Sequence, residues 1–142
     1  MEDAEVLFGI YCPPHPQPLL SPDANHGYSK LRAAFETCRE RIEQSDADLL
    51  IVYSTTWPSI IGHQIQAHPE PEWVHVDDDF HYLGSMPYKF KMDVDFADCL
   101  VESAKSRGLH SRTIAYDGFP IDTGSVVALK LLNPDNRLPA CI

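Results

Sequence analysis

The chain has 142 residues, a hydrophobic fraction of 44% and a formal net charge of -10. This length allows one domain with its own core, and the negative charge disfavours binding to the phosphate backbone of nucleic acid. No apolar run approaches the roughly 20 residues that a membrane span needs, and the acidic start lacks the basic residues of a signal peptide. We therefore expect a cytoplasmic protein with no nucleic-acid or membrane partner.

The first half of the chain predicts two strands around one helix. Residues 5–11 are a short apolar run typical of a buried strand, and a proline-rich turn follows them. Residues 28–44 predict a helix, because apolar side chains recur on one face. The apolar run of residues 48–54 is continuous, which indicates a strand covered on both sides by helices.

Residues 55–88 form a long irregular segment, with a short strand predicted at residues 73–76. Such a segment is usually functional or packs against something outside the chain. His75 and His81 flank an acidic run at residues 77–79, which we interpret as a solvated loop, with cation binding as the other interpretation.

The last third of the chain predicts two helices and two strands. Residues 93–107 indicate a helix with Asp93 as its N-cap and Gly108 at its C-terminal end. A strand at residues 112–116 and a helix at residues 122–132 follow, and residues 138–142 begin another strand.

This alternation predicts a single α/β domain over residues 1–142, with a mainly parallel sheet flanked by helices on both faces. Because the chain stops where another strand should enter, we expect it to be the N-terminal part of a longer subunit. The four cysteines contain no CxxC pair, so a zinc knuckle is not indicated. We expect all of them to be reduced, with Cys38 and Cys99 on apolar helix faces.

Ligands of open parallel sheets gather beyond the carboxyl ends of the strands. Three turns occupy such positions here, at residues 12–20, 54–63 and 116–124. The candidate pocket residues in these turns are His15, Thr56, Trp57, Asp122 and Thr123. No GxSxG, GxGxxG or P-loop motif is present, so a serine-hydrolase elbow and nucleotide binding are not indicated.

The three turns resemble those of class III (LigB-type) extradiol ring-cleavage dioxygenases. The run Pro-His-Pro-Gln-Pro-Leu, with His15 second, is similar to a PHxPxL turn whose histidine is the family's first iron ligand. Ser-Thr-Thr-Trp at residues 54–57 is similar to an S-x-H-W turn whose histidine is the second ligand, here Thr56. Asp-Thr-Gly at residues 122–124 is similar to a D-H-G turn with a pocket histidine, here Thr123. The third ligand, a glutamate, belongs to the family's C-terminal half.

The resemblance implies that this chain has lost most of the iron site. Non-haem Fe(II) needs about three protein ligands, commonly two histidines and a carboxylate. His15 is the one ligand-type residue retained, so we expect a vestigial pocket without a catalytic residue, a metal or another cofactor in this chain.

Within the family, the two threonine replacements are similar to those of the non-catalytic alpha subunit of 2-aminophenol 1,6-dioxygenases. This similarity implies a role in aromatic compound degradation as part of a hetero-oligomer. A homologous catalytic subunit would hold Fe(II), and an aromatic small molecule could be a further partner.

Two alternatives remain open. The chain could be an active metalloenzyme with unconventional ligands, for example His15, His81 and an aspartate. It could also be a non-enzymatic binding module that reuses the fold. His15 itself could be an ordinary loop histidine. The aromatic side chains of the irregular segment either line a pocket or anchor a partner subunit, and we favour the interface for most of them. They are Trp57, Trp73, Phe80, Tyr82, Tyr88 and Phe90.

Overall fold

The computed structural model of the protein describes residues 4–142. Its helices are α1 (Gln17–Leu20), α2 (His26–Glu43), α3 (Val94–Ser106) and α4 (Thr123–Leu132), with short 3-10 turns at Pro22–Ala24 and His81–Leu83. Its strands are β1 (Leu50–Ile51), β2 (His63–Gln66), β3 (Glu72–His75), β4 (Met86–Lys89), β5 (Ser111–Ile114) and β6 (Ala140–Cys141). Within this part of the chain, every helix is too short or too polar to cross a membrane.

The strands pair two by two. β1 is parallel to β6, with Leu50 opposite Ala140, and β2 is parallel to β5. A hydrogen bond of 2.9 Å from the Gln66 N–H to the Ile142 carbonyl joins the two parallel pairs. The predicted α/β class with parallel strands and flanking helices is therefore confirmed. The antiparallel pairing of β3 with β4 was not predicted.

β6 lies between two hydrophobic cores. Ala140 and Ile142 belong to the core that includes residues of α2 and α4, whereas Cys141 belongs to the core that includes residues of β2 and α3. Since successive side chains of a strand point to opposite faces, helices cover both faces of the sheet at β6.

The predicted helices are confirmed to within two residues at each end. Capping explains the accuracy, because a side-chain oxygen that accepts an N–H of the first turn fixes where a helix begins. Asn25 accepts from the Tyr28 N–H at 2.9 Å, Asp93 caps α3 and Asp122 caps α4. The expected apolar position of Cys99 is wrong, since Cys99 is exposed on α3.

The predicted strand at residues 5–11 is wrong. These residues pair with no strand, and Val6 and Tyr11 are 84% and 94% exposed. An apolar run predicts the local preference for extended backbone but not the partner strand that a sheet requires. The Phe8 ring instead lies 4.5 Å below the Arg41 guanidinium of α2.

The irregular segment contains more regular structure than predicted. The strand expected at residues 73–76 is confirmed as β3, but β2 and β4 lie in the same segment. β2 reads His-Gln-Ile-Gln and lacks an apolar run, and β4 contains Pro87, which sequence rules place at sheet edges. β2 was therefore hidden from a pattern of hydrophobic residues, whereas β4 alternates buried and exposed side chains as a strand does.

Candidate functional site

The three predicted turns meet at the N-terminal end of α4. A Cβ atom placed on Gly124 would lie 2.9 Å from the Pro14 Cβ, so the first turn lies directly against the third. The Thr56 hydroxyl donates to Asp122 Oδ2 at 2.8 Å and so joins the second turn to the third. The three turns that were predicted to follow successive strands are thus close together in the structure, although no strand precedes the first turn.

Asp122 is the buried anchor of this cluster, with 8% of its surface exposed. Its carboxylate accepts from the Ser125 N–H at 3.2 Å and from the Ser125 hydroxyl at 2.7 Å. Asp122 is therefore the N-cap of α4 as well as a residue of the predicted pocket. With the Thr56 hydroxyl added, the carboxylate has three donors, which compensate for its removal from water.

Trp57 and Thr56 are held by their own turn. Both backbone N–H groups donate to Ser54 Oγ at 3.1 Å. The Trp57 indole N–H donates to the Pro120 carbonyl at 2.7 Å, and its ring meets Phe119 edge-on with centroids 5.7 Å apart. The second turn is therefore fixed to the segment that leads into α4.

The Thr123 hydroxyl lies in a chain of three polar groups. It donates a short hydrogen bond to Asp77 Oδ2, and His75 Nε2 lies 2.8 Å from the Thr123 hydroxyl oxygen. A hydroxyl has one proton, so the oxygen that donates to Asp77 must accept from the Nε2–H of His75. The chain of donors therefore runs from His75 through Thr123 to Asp77.

His75 and Asp77 are site residues that sequence reasoning missed. His75 ends β3, and Asp77 begins the acidic run interpreted as a solvated loop. That interpretation is correct for Asp78 and Asp79, which are exposed, and wrong for Asp77, which is half-buried. The available signal was a histidine and an aspartate two residues apart at the end of a predicted strand.

The Asp77 carboxylate is held in its charged form. Burial raises its pKa, but hydrogen bonds from Thr123 and from the backbone N–H groups of Phe80 and Asp79, together with the positive charge available on His75, lower it. The lowering effects prevail, and the pKa lies below its ordinary value of 3.8.

His15 stands apart from these hydrogen bonds. Its ring meets Phe80 edge-on, with centroids 6.2 Å apart, and it has no hydrogen-bond partner among residues 4–142. Phe80 in turn is fixed by its backbone N–H, which donates to Asp77 Oδ1 at 2.9 Å. The cluster therefore has a polar part at α4 and an aromatic part next to His15.

The donor set in the described part of the chain does not fit non-haem iron. Residues 4–142 contain no group of three His, Cys, Asp or Glu side chains placed to hold a metal ion. The ring of His81 faces the Asp78 carbonyl at 3.3 Å, and the alternative set with His15 and an aspartate is not assembled in these residues. The Thr56 side chain ends in a neutral hydroxyl that already donates to Asp122. Such a hydroxyl is a poor ligand for Fe(II).

Apart from Trp57 and Phe80, which lie in the site, the aromatic side chains of the irregular segment divide into two groups. Tyr88 and Phe90 stack at 5.0 Å inside the chain's own core, so these two do not anchor a partner. Trp73 and Tyr82 are 52% and 71% exposed, and for them the interface stays a prediction.

The chain is similar in sequence to proteins of the family that the three turns resemble. The family model of the catalytic LigB subunit of aromatic ring-opening dioxygenase matches residues 9–141. The alpha subunit of 2-aminophenol 1,6-dioxygenase from Pseudomonas sp is 32% identical over 127 residues, which are 89% of this chain and 46% of that protein. The beta subunit is 26% identical over 147 aligned residues, covering 98% of this chain and 48% of that protein.

The chain thus spans about half the length of the curated relatives that it matches. The resemblance carried by the turns around His15, Thr56 and Thr123 extends over nearly the whole chain, as the matched residues 9–141 demonstrate. The chain belongs to the LigB family of aromatic ring-opening dioxygenase subunits.

Proposed function

We propose that the chain is a non-catalytic subunit of an extradiol ring-cleavage dioxygenase that acts on 2-aminophenol or catechol compounds. In this proposal a homologous subunit holds Fe(II), which supplies the oxygen chemistry when bound there. The present chain stabilises that assembly or shapes its pocket. A cytoplasmic location is part of the same proposal.

The observation that carries the proposal is the hydrogen bond of 2.8 Å from Thr56 to Asp122. Thr56 occupies the position where the family resemblance implies a ligand histidine. Turning its hydroxyl towards a metal would remove one donor from a buried carboxylate, which costs free energy. The local structure therefore favours a closed hydrogen-bond network over an open coordination site.

The partner is supported by the relatives. The two similar Pseudomonas proteins are named as the alpha and beta subunits of one enzyme. In an enzyme with two homologous subunits, one subunit can retain the metal ligands while the other loses them. We therefore propose a hetero-oligomer with a homologous catalytic subunit.

Co-expression with a full-length catalytic homologue tests this proposal. We expect the two chains to co-elute in size-exclusion chromatography and ring cleavage to increase when this chain is present. Substituting the partner's ligand histidines should abolish ring cleavage. The isolated present chain should contain less than one iron per chain, and His15→Ala should not change that iron content. The proposal is wrong if no complex forms and activity is indifferent to this chain.

Two other results would select the alternatives. Stoichiometric iron in protein purified without oxygen, lost on His15→Ala, would indicate an active metalloenzyme with unconventional ligands. A stable partner of unrelated sequence, without any effect on aromatic ring cleavage, would indicate a non-enzymatic binding module.

A further inference from the structure

The outer edge of β1 is open in the structure. The N–H groups of Leu50 and Val52 donate to backbone carbonyls of the β6 segment at 3.1 and 2.8 Å. Since alternate residues of a strand direct their N–H and C=O groups to opposite edges, those of Ile51 face away from β6. Within residues 4–142, β1 pairs with β6 alone. The outer edge therefore keeps an unpaired backbone donor and acceptor at Ile51.

This edge lacks the usual protection against other chains. Edge strands commonly carry charged side chains or proline, or are covered by another element. Residues 50–53 read Leu-Ile-Val-Tyr, without a charge or a proline. Ile51 and Tyr53 are 59% and 80% exposed, so the described part of the chain leaves the edge uncovered. An open apolar edge of this kind favours the addition of a further strand.

The same chain contains a strand-like segment without a partner. Residues 5–11 form no strand, although their composition is typical of one. Val6 and Tyr11 are almost fully exposed, and a Cβ atom at Gly9 would meet no atom within 4 Å. The Phe8 ring contacts α2. Little packing would therefore be lost if this segment paired outside its own chain.

We propose that residues 5–11 of one chain add to the outer edge of β1 in a second copy, which adds its own residues 5–11 to the first. This exchange has two-fold symmetry, so it closes the open edge in both chains and leaves none for a third. A second copy is the occupant that the chain itself supplies, because each copy has one free edge and one free strand. The inference goes beyond the proposed function, since it concerns the isolated chain.

Charge favours an antiparallel direction for the added strand. Residues 5–11 and residues 48–54, the run that contains β1, are equal in length. With the two runs fully overlapped, parallel pairing would place Glu5 opposite Asp48, and like charges directly opposite each other destabilise a sheet. Antiparallel pairing places Glu5 opposite Ser54 instead.

Sedimentation of the isolated chain over a hundredfold range of concentration tests the inference. We expect an equilibrium between monomer and dimer. Because each chain carries a net charge of -10, added salt should strengthen the dimer by screening the repulsion between the copies. A dimer that salt weakens would be held by ion pairs and would contradict the inference.

Amide hydrogen exchange locates the contact. The Val52 N–H is already bonded to the β6 segment in the single chain, so its exchange should be slow at every chain concentration. The Ile51 N–H should exchange quickly in dilute protein and at least about tenfold more slowly when the dimer is populated. Slow exchange of Ile51 at every concentration would show that the edge is closed within one chain, and the inference would be wrong.

Two substitutions at position 51 form a matched pair. Ile51→Pro removes the outer N–H but leaves the donors of Leu50 and Val52 to β6 in place, so we expect the dissociation constant of the dimer to rise at least about tenfold. Ile51→Val keeps the N–H and should dimerise like the unmodified chain. Circular dichroism checks that both variants are folded.

A double variant in the other segment covers the case in which Ile51→Pro does not fold. One of two consecutive N–H groups faces a given neighbouring strand, so Val6→Pro combined with Leu7→Pro removes it without altering β1. Both side chains are exposed, so the fold should persist and the dimer should be lost. The inference is wrong if the unmodified chain stays monomeric, or if the double variant dimerises equally well. Either result would leave the proposed complex with a catalytic subunit standing.

Discussion

Two hydroxyl groups stand where the family resemblance implies imidazoles, and each is bonded to a carboxylate. Thr56 donates to Asp122, and Thr123 donates to Asp77. Sequence motifs identified both threonines and Asp122, because they occupy fixed places in recognisable turns. Asp77 and His75 could not be assigned in the same way, since their positions depend on how the irregular segment folds back onto α4.

The lowered pKa of Asp77 makes a prediction about acid stability. A carboxyl group whose pKa is lower in the folded than in the unfolded chain stabilises the fold above its ordinary pKa. This stabilisation is lost as the pH falls below 3.8 towards the lowered value. Asp77→Asn should therefore be less stable than the unmodified chain at neutral pH, and the difference should shrink in acid.

Urea unfolding at a series of pH values measures this difference. The exposed Asp78 is the matched control, and Asp78→Asn should leave the pH dependence unchanged. An equal pH dependence for the unmodified chain and Asp77→Asn would contradict the stated hydrogen-bonding role.

At the scale of elements, prediction succeeded where a local signal fixed the structure. The N-caps and apolar faces of α2, α3 and α4 are encoded within each segment, so their limits could be predicted. Strands depend on partners far away in the chain. Residues 5–11 have the apolar composition of a strand but pair with no other strand. β2 lacks an apolar run but pairs with β5.

The contact between the first turn and α4 predicts the effect of a larger residue at position 124. Gly124→Ala would bring a methyl group within 2.9 Å of the Pro14 Cβ and 3.2 Å of Asp122 Oδ2. The proline ring is stiff, so the first turn or the start of α4 must shift, at a cost of about 1–3 kcal/mol. Equilibrium urea unfolding measures this loss.

Gly9→Ala is the control for that substitution. A Cβ at position 9 would meet nothing within 4 Å, so its free energy of unfolding should change by less than about 0.5 kcal/mol. Equal stability of the two variants would show that the turn and the helix do not touch as described.

For the whole molecule, fold class and family were predictable because they depend on element order and on motifs that survive substitution. The division of the strands into pairs was not predictable, since it depends on spatial packing around β6. The two cores on either side of β6 also determine how the thiols are distributed. Cys141 is buried, Cys12 is partly buried and Cys99 is exposed.

This distribution predicts the order of thiol modification. Burial, with Cys38 nearby, raises the pKa of Cys12 to about 11, and burial, with Asp93 nearby, raises the pKa of Cys141 to about 11. Since the thiolate is the reactive form, an alkylating reagent at about pH 8 should modify Cys99 first. Cys12 and Cys141 should react at comparable rates only after unfolding.

Mass spectrometry of peptides from the native and urea-unfolded chain measures these rates. In Cys99→Ser the fast phase should disappear while the slow phases remain. Fast modification of Cys141 in the native chain would contradict its place in the second core.

The pairing of Leu50 with Ala140 has a consequence for synthesis on the ribosome. β1 leaves the exit tunnel long before its partner has been translated, so the growing chain can form helix α2 but not this ladder. Distant contacts of this kind also slow refolding, because the chain must lose the entropy of a large loop before the contacts compensate. During that interval Phe35 of α2 lacks the side chains of α4 and β6 that share its core in the folded chain, so unfinished chains should be more prone to aggregation than the complete one.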